Sequence, residues 1–530
     1  MRKMVLAVLV GAIAVITVSL RAGGNDDRFH FVPNSLVLSR SVYVGDTSTV
    51  TPGQTLPPGC VAGTVKVPLI AGGTTNVQVA CAKAVADGEY PTVWKNNGAD
   101  GSFGVTSPIF LDNITTEGNV LNTLPVPSDM LVTSFSSKSE LAVNRSLDGK
   151  SITFVGYRGG PGFVTAPNQL DVSNSNTPGV VDPSNPVVSN YFRAVAEVDA
   201  WGHIVVTEGN GYSGNNGRAA IKADSVYYMT GNDNNGGLSK TQLKTTQVGQ
   251  NLVTSTGVEL LFPGQAPPVP PSINMIGDFE VTQVGYTTPD KPGKDNNFRG
   301  LTIFNDTLFV TKGSGGNGIN TVYQVGNAGQ LPTGSTSDLA KTPITILPGL
   351  PTSLASGLDQ NNNPAPVSFP FGIWFANANT LYVCDEGDGT LVAGQPNVAD
   401  AQTRATAGVQ KWVLQNGSWV RMYVLQDGLD IGVPYGVPNY SAALDPATDG
   451  CRNITGRVNG NGTVEIWAVT STVSANGDQG ADPNKLVKVT DLLDATSLPA
   501  GNGDGWGHFV TIRSAQAGEV FRGVAFSPTE

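Results

Sequence analysis

The chain reads as an all-β protein, a single β-propeller of four-stranded antiparallel blades. Three observations lead there: composition, an internal repeat, and the way the last copy of that repeat breaks off. Of 530 residues, 65 are glycine and 35 proline, and only 14% are charged. Long Ala/Leu/Glu/Lys stretches are missing, so many short strands joined by turns fit better than helices.

The repeat is a strand, an Asn/Asp/Gly turn and a second strand. "RGLTIFNDTLFVTKG" (299–313) shows it most plainly. It recurs as "ELAVNRSLDGKSITFVGY" (140–157), "RAAIKADSVYYMTG" (218–231), "FGIWFANANTLYVCDEG" (371–387) and "RNITGRVNGNGTVEIWAVT" (452–470). Starts fall roughly 70–85 residues apart, the period of a blade rather than of a helical array. Each copy is followed by two more strand candidates, such as "TVYQVG" and "TPITILPG". The unit is therefore four strands, a to d. One such sheet cannot bury both faces alone, and radial stacking solves that while leaving few free edges.

The last copy, "RGVAFSPTE" (522–530), supplies strand a and no strand b. The complement stands near the other end. "SLVLSRSVYVG" (35–45) reads as strand b, and "SPIFLDNITTEGNVLNTLPVP" (107–127) as c and d. The termini thus share one blade and close the ring. Six blades is the preferred count. The insertion at about 46–102 could form a seventh, irregular blade. Further inserts, at 159–189, 232–256, 264–272 and 426–450, lie where propellers usually carry specificity.

Arg2 and Lys3 precede an apolar run from Met4 to Leu20, which is the pattern of an export signal over residues 1–22, with an uncleaved anchor as the alternative. The expected location is secreted or extracytoplasmic, with the propeller spanning 23–530. Four cysteines fit an oxidising compartment, paired locally as Cys60 with Cys81 and Cys384 with Cys451. None has CxxC spacing. Sequons at Asn113, Asn144, Asn305, Asn416, Asn439, Asn453 and Asn461 make a glycoprotein conceivable. A net charge of −11 argues against nucleic acid or an anionic membrane as partner.

Alignment of the copies puts Glu140, Arg218, Arg299, Phe371, Arg452 and Arg522 at one equivalent place, the start of the innermost strand. Four guanidiniums and a carboxylate would then ring one mouth of the axis. Guanidinium forks suit carboxylate, phosphate or sulfate. Against that ligand-binding role stands an architectural one, in which each arginine ties its blade to a neighbour; recurrence from copy to copy favours architecture. Asp385, Glu386 and Asp388, in "DEGDGT", are the best candidate Ca²⁺ ligands, although turn chemistry explains such residues as well. "GNDNNGG" (231–237) and "GNGDGW" (501–506) are similar. His30, His203 and His508 are the only histidines, and "WGHIVV" and "WGHFVT" place two of them in matching outer hairpins, far from the axis. No G-x-S-x-G or HExxH motif occurs, so no catalytic residue is assigned.

Taken together, "LVLSRSVYVG", "SELAVNRSLDGKSITFVGY", "NNGRAAI" and "NNFRGLTIFNDTLFVTKG" resemble a group of secreted, mostly uncharacterised β-propeller proteins. The repeat grammar is similar to that of NHL and YncE-type propellers. The resemblance implies a propeller and export, and no particular activity. The first functional expectation is a non-enzymatic extracellular binding or scaffold protein, recognising a polymer or an anionic small molecule at a channel mouth. The alternatives are a Ca²⁺-assisted carbohydrate lyase or phosphoesterase, and a self-assembling surface-layer or filament protein.

Overall fold

A computed structural model describes residues 29–43, 106–158, 175–178, 191–232, 257–265, 274–290, 295–392, 395–399 and 405–530, with brief breaks, and short segments between 52 and 96. The export-signal reading of residues 1–22 lies outside the described residues. No helix among the described residues is long and apolar enough to cross a membrane.

Six four-stranded antiparallel blades form the molecule, as expected. The first blade joins the two ends of the chain: Glu519–Phe526 is strand a, Leu36–Val42 strand b, Ile109–Ile114 strand c and Val120–Val126 strand d. Leu36 lies opposite Phe526 and Val42 opposite Glu519. Strand a of the later blades is Asn144–Arg145, Gly217–Ala223, Leu301–Phe304, Pro370–Asn377 and Ala447–Val458. Each strand a touches strand a of the next blade, and Glu519–Phe526 touches both Ala447–Val458 and Asn144–Arg145, so the inner ring is closed. The insertion between strands b and c of the first blade adds no blade. Its strands form two small separate sheets, Thr55–Leu56 with Ala82–Ala86 and Trp94–Asn96, and Gly63–Pro68 with Thr74–Val79.

Turn chemistry sets the hairpins. Phe304 and Thr307 are joined by Asn305 and Asp306 at φ 46° and 52°. Two successive left-handed residues match the twist of the flanking strands, and asparagine and aspartate tolerate that conformation. Asn416 and Gly417 do the same between Gln415 and Ser418.

The core lies between blades. Val37 and Ile109 pack with Ile152 and Phe154; Val155 and Val195 with Tyr227 and Met229; Ile221 with Leu308 and Val310. Phe309 packs with Leu381, Tyr382 with Ile466, and Trp467 with Leu36 and Phe521, which completes the circle. Strand b is therefore covered on both faces. Val226–Gly231, Thr307–Lys312 and Thr380–Asp385 are buried at every position, so they read as continuous apolar runs rather than alternating ones.

A polar tie repeats on strand b. Ser39 Oγ donates to the carbonyl of Leu141 at 2.7 Å, Thr230 Oγ1 to Arg299 at 3.4 Å, and Thr311 Oγ1 to Phe371, in each case reaching the next blade. Cys384 occupies the position of Thr311 in its own copy. There the tie is covalent: Cys384 is bonded to Cys451 on strand a of the following blade, with Cα atoms 5.2 Å apart. This is the expected pairing. Cys81 is also disulfide-bonded; its expected partner, Cys60, lies outside the described residues.

Candidate anion site at the channel mouth

All six aligned residues are buried. Glu140 is 1% exposed, Arg218 4%, Arg299 8%, Phe371 4%, Arg452 5% and Arg522 5%. They divide into two groups by what holds them.

Arg452 and Arg522 are built into the frame. Arg452 Nε donates to Glu386 Oε2 at 3.0 Å, which joins the sixth blade to the fifth. Arg522 donates to the carbonyls of Phe135 and Ser137 and, at 3.2 Å, to Ser41 Oγ. It thereby ties the C-terminal strand to the segment entering the second blade. These are the inter-blade ties of the architectural alternative.

Glu140 accepts the hydroxyl of Tyr157, Thr133 Oγ1 at 2.9 Å and the Ser134 amide at 3.2 Å. Strand a of this blade is split to make room for it: Leu131–Ser134 and Asn144–Arg145 both pair with Ser151–Arg158, and Glu140 lies in the excursion between them. Burial raises its pKa against the lowering effect of those hydrogen bonds and of Arg522. Burial and the Glu140 carboxylate together raise the Tyr157 phenol well above its usual range.

Arg218 and Arg299 form the second group. An Nη of Arg218 donates to Asn297 Oδ1 and, at 3.2 Å, to the Phe298 carbonyl, while its Nε has no partner in the protein. The Arg299 guanidinium stands 5.9 Å from the Phe371 ring centre. Burial depresses the Arg218 pKa well below the usual value, and the Arg299 charge adds to this. Burial also lowers Arg299, to about 10, with Glu386 opposing and Arg452 reinforcing the shift.

A third cation joins them. Lys312, 1% exposed, ends strand b of the fourth blade, and its Nζ donates to Asn320 Oδ1 at 3.0 Å. Burial brings its pKa down to about 7; Arg299 and Arg218 lower it further, while Asp295 and Asp290 oppose. Lys312 was not among the residues expected from the sequence. A signal was present: Tyr157, Lys312 and Asp385 are each the penultimate residue or the end of their own strand b, polar where the run is otherwise apolar. A b-strand alignment, added to that of strand a, would have found them.

Lys312 makes stability pH-dependent with a definite sign. Its folded pKa of about 7 lies below the unfolded value. Between pH 7 and roughly 10.4 the unfolded chain holds the proton that the folded chain has lost, so folding gains as pH rises. Wild-type protein is expected to gain about 3 kcal/mol more than Lys312→Met between pH 7 and 9.5 in urea unfolding. Parallel profiles for the two proteins would refute the assignment.

The carboxylates expected to hold Ca²⁺ serve protein donors. Asp385 accepts the amides of Phe369 at 2.8 Å and Gly387 at 3.0 Å, and Gln410 Nε2 at 2.8 Å; burial raises its pKa to about 6. Glu386 takes Arg452, and Asp388 accepts the Thr390 amide at 2.8 Å within its own turn. Among the described residues no group of three or more His, Cys, Asp or Glu side chains could hold a metal ion. "GNDNNGG" and "GNGDGW" lie largely outside the described residues. His203 and His508 sit in outer hairpins as expected, bonded to Asp199 at 2.9 Å and to Asp427 at 2.8 Å. Of the sequons, Asn113 is fully buried and bonded to Ser35 and Leu36, whereas Asn305 and Asn416 stand exposed at hairpin tips.

No protein-family model matches the chain. The NHL and YncE likeness accordingly finds no support there, and what stands is the propeller itself. No curated protein matches either. Among solved structures, the chain is similar to the hemagglutinin-neuraminidase ectodomain of parainfluenza virus 5, at 11% identity and a TM-score of 0.35, over 84% of this chain and 88% of that one. That likeness contributes nothing to the functional reading, which rests on the chain's own residues.

Proposed function

We propose that the protein is a secreted, non-enzymatic binding propeller whose channel mouth takes an anion between Arg218, Arg299 and Lys312. One observation carries the reading: three cations are buried together, with Arg299 lowering the pKa of Arg218 and both arginines lowering that of Lys312. Arg452 and Arg522 are matched by a carboxylate and by carbonyls; the charges opposing the second group are Glu140 and Glu386 at Arg218, Glu386 at Arg299, and Asp295 and Asp290 at Lys312. Buried like charges are costly unless an opposite charge joins them. Secretion is supported by the apolar leader pattern of residues 4–20 and by the Cys384–Cys451 bridge. The Tyr157 hydroxyl donates to Glu140, so this buried polar pair is satisfied within the protein.

Calorimetric titration with sulfate, phosphate and citrate tests this. Binding is expected to tighten as pH falls from 8.5 to 6, because Lys312 gains its proton across that range. The limit is about tenfold per pH unit for one linked proton. Lys312→Met should flatten the slope, and Arg299→Met should weaken binding at every pH. Absence of any anion binding at pH 6 would overturn the proposal.

A further inference from the structure

Resting on the anion reading, we infer that the ligand is a polyhydroxylated carboxylate, a sugar acid in chemical class, rather than a bare inorganic anion. The observation is a set of buried polar atoms without partners in the protein, on residues near a cation in the chain, bonded or paired to one, or, for Asn232, bonded to Asn216. Two are donors: Arg218 Nε and Asn320 Nδ2. Three are acceptors: Asn216 Oδ1, Asn232 Oδ1 and Asn296 Oδ1. Thr321 Oγ1 serves either way. All six residues are at most 6% exposed.

Their placement follows the fold. Asn216 stands two residues before Arg218; its Nδ2 donates to Ser137 Oγ at 3.1 Å, and its carbonyl accepts the Asn232 amide at 3.0 Å. Asn296 adjoins Asn297, which receives Arg218, and its own Nδ2 donates to Asp278 at 3.0 Å. Asn320 receives Lys312, and Thr321 lies opposite Lys312 in the sheet.

The donor and acceptor balance selects the ligand. Sulfate only accepts hydrogen bonds, and the phosphate dianion has a single hydroxyl to donate. Either would satisfy Arg218 and Lys312 and leave at least two of the three amide oxygens unmet. A carboxylate flanked by hydroxyl groups supplies both functions: the carboxylate meets the cations, and each hydroxyl donates to an asparagine oxygen while accepting from Nδ2 or Nε. A site built to bond hydroxyls also rejects the analogue that lacks them, because its own polar atoms are then buried unpaired.

Titration of the full chain at pH 6 with D-galacturonate, D-gluconate, hexanoate, sulfate and neutral glucose tests the inference. At least one hydroxy acid is expected to bind about 100-fold tighter than hexanoate and tighter than sulfate. Asn232→Ala and Asn216→Ala should each bring the hydroxy acid toward the hexanoate level and leave sulfate affinity in place, which also shows that the variants are folded. Equal affinity for hydroxy acid and hexanoate, or stronger binding of sulfate, would overturn this inference while leaving the anion site standing. Failure of every anion to bind would overturn both.

Discussion

A chain ending at Gly518 is expected to lose its cooperative melt and to associate. The missing segment holds strand a of the first blade. Val520, Phe521 and Val524 are buried there, each within 1% of full burial. Side chains of this size contribute roughly 1.5–3 kcal/mol apiece, so their loss alone approaches the net stability of an ordinary domain. The remaining strand, Leu36–Val42, would present unpaired backbone groups along one side, an edge that pairs with other chains. Arg522 would go as well, and with it the bonds to Phe135, Ser137 and Ser41. Size-exclusion chromatography and circular dichroism would show the effect. A synthetic 519–530 peptide should restore the melt by refilling the gap. A truncated chain that melts like wild type would disprove closure by this strand.

Replacing Cys384 and Cys451 together by alanine is expected to cost about 4 kcal/mol, the entropic figure for a closed loop of this size. The bridge spans 67 residues and joins the fifth blade to the sixth. Its neighbours in sequence are Asp385, Glu386 and Arg452, so the loss extends to the mouth: the Arg452–Glu386 contact is held from both sides by the bridge. The double variant should therefore unfold at lower urea and bind anions more weakly. Unchanged stability would mean that the hydroxyl-type tie seen at Thr311 serves equally well at this position.

The fold was open to a sequence reading because propeller blades are repeated. "FNDT" in 304–307 and its counterparts mark the a–b turns, and the Arg-Gly start at 299 and 522 fixes where the axis begins. Closure by the termini followed from the missing strand b after "RGVAF". The insertion at 46–102 was harder to place: its short runs carry strand residues, and only pairing partners tell a small separate sheet from a seventh blade.

The site was half legible. Alignment put the arginines at one equivalent place, and all four are buried there. It could not give their partners, Glu386 for Arg452, backbone carbonyls for Arg522, and Asn297 with the Phe298 carbonyl for Arg218, because these come from other blades and from carbonyls that leave no mark in the sequence. Lys312 escaped notice for a related reason. On strand b a lysine reads as a strand end, and only burial beside two guanidiniums gives it a role. "DNNFRG" (295–300) contributes through Asn296, Asn297 and Arg299 together, with Asn297 receiving Arg218 from the preceding blade.

The central claim is that Arg218, Arg299 and Lys312 receive an anion. Crystals soaked in selenate and measured at the selenium edge locate such an ion directly. An anomalous peak is expected at the mouth, within hydrogen-bond reach of Arg218 and Lys312, and absent from Arg299→Met crystals. Selenate found only on outer hairpins and surface lysines, with none beside these three residues, would contradict it.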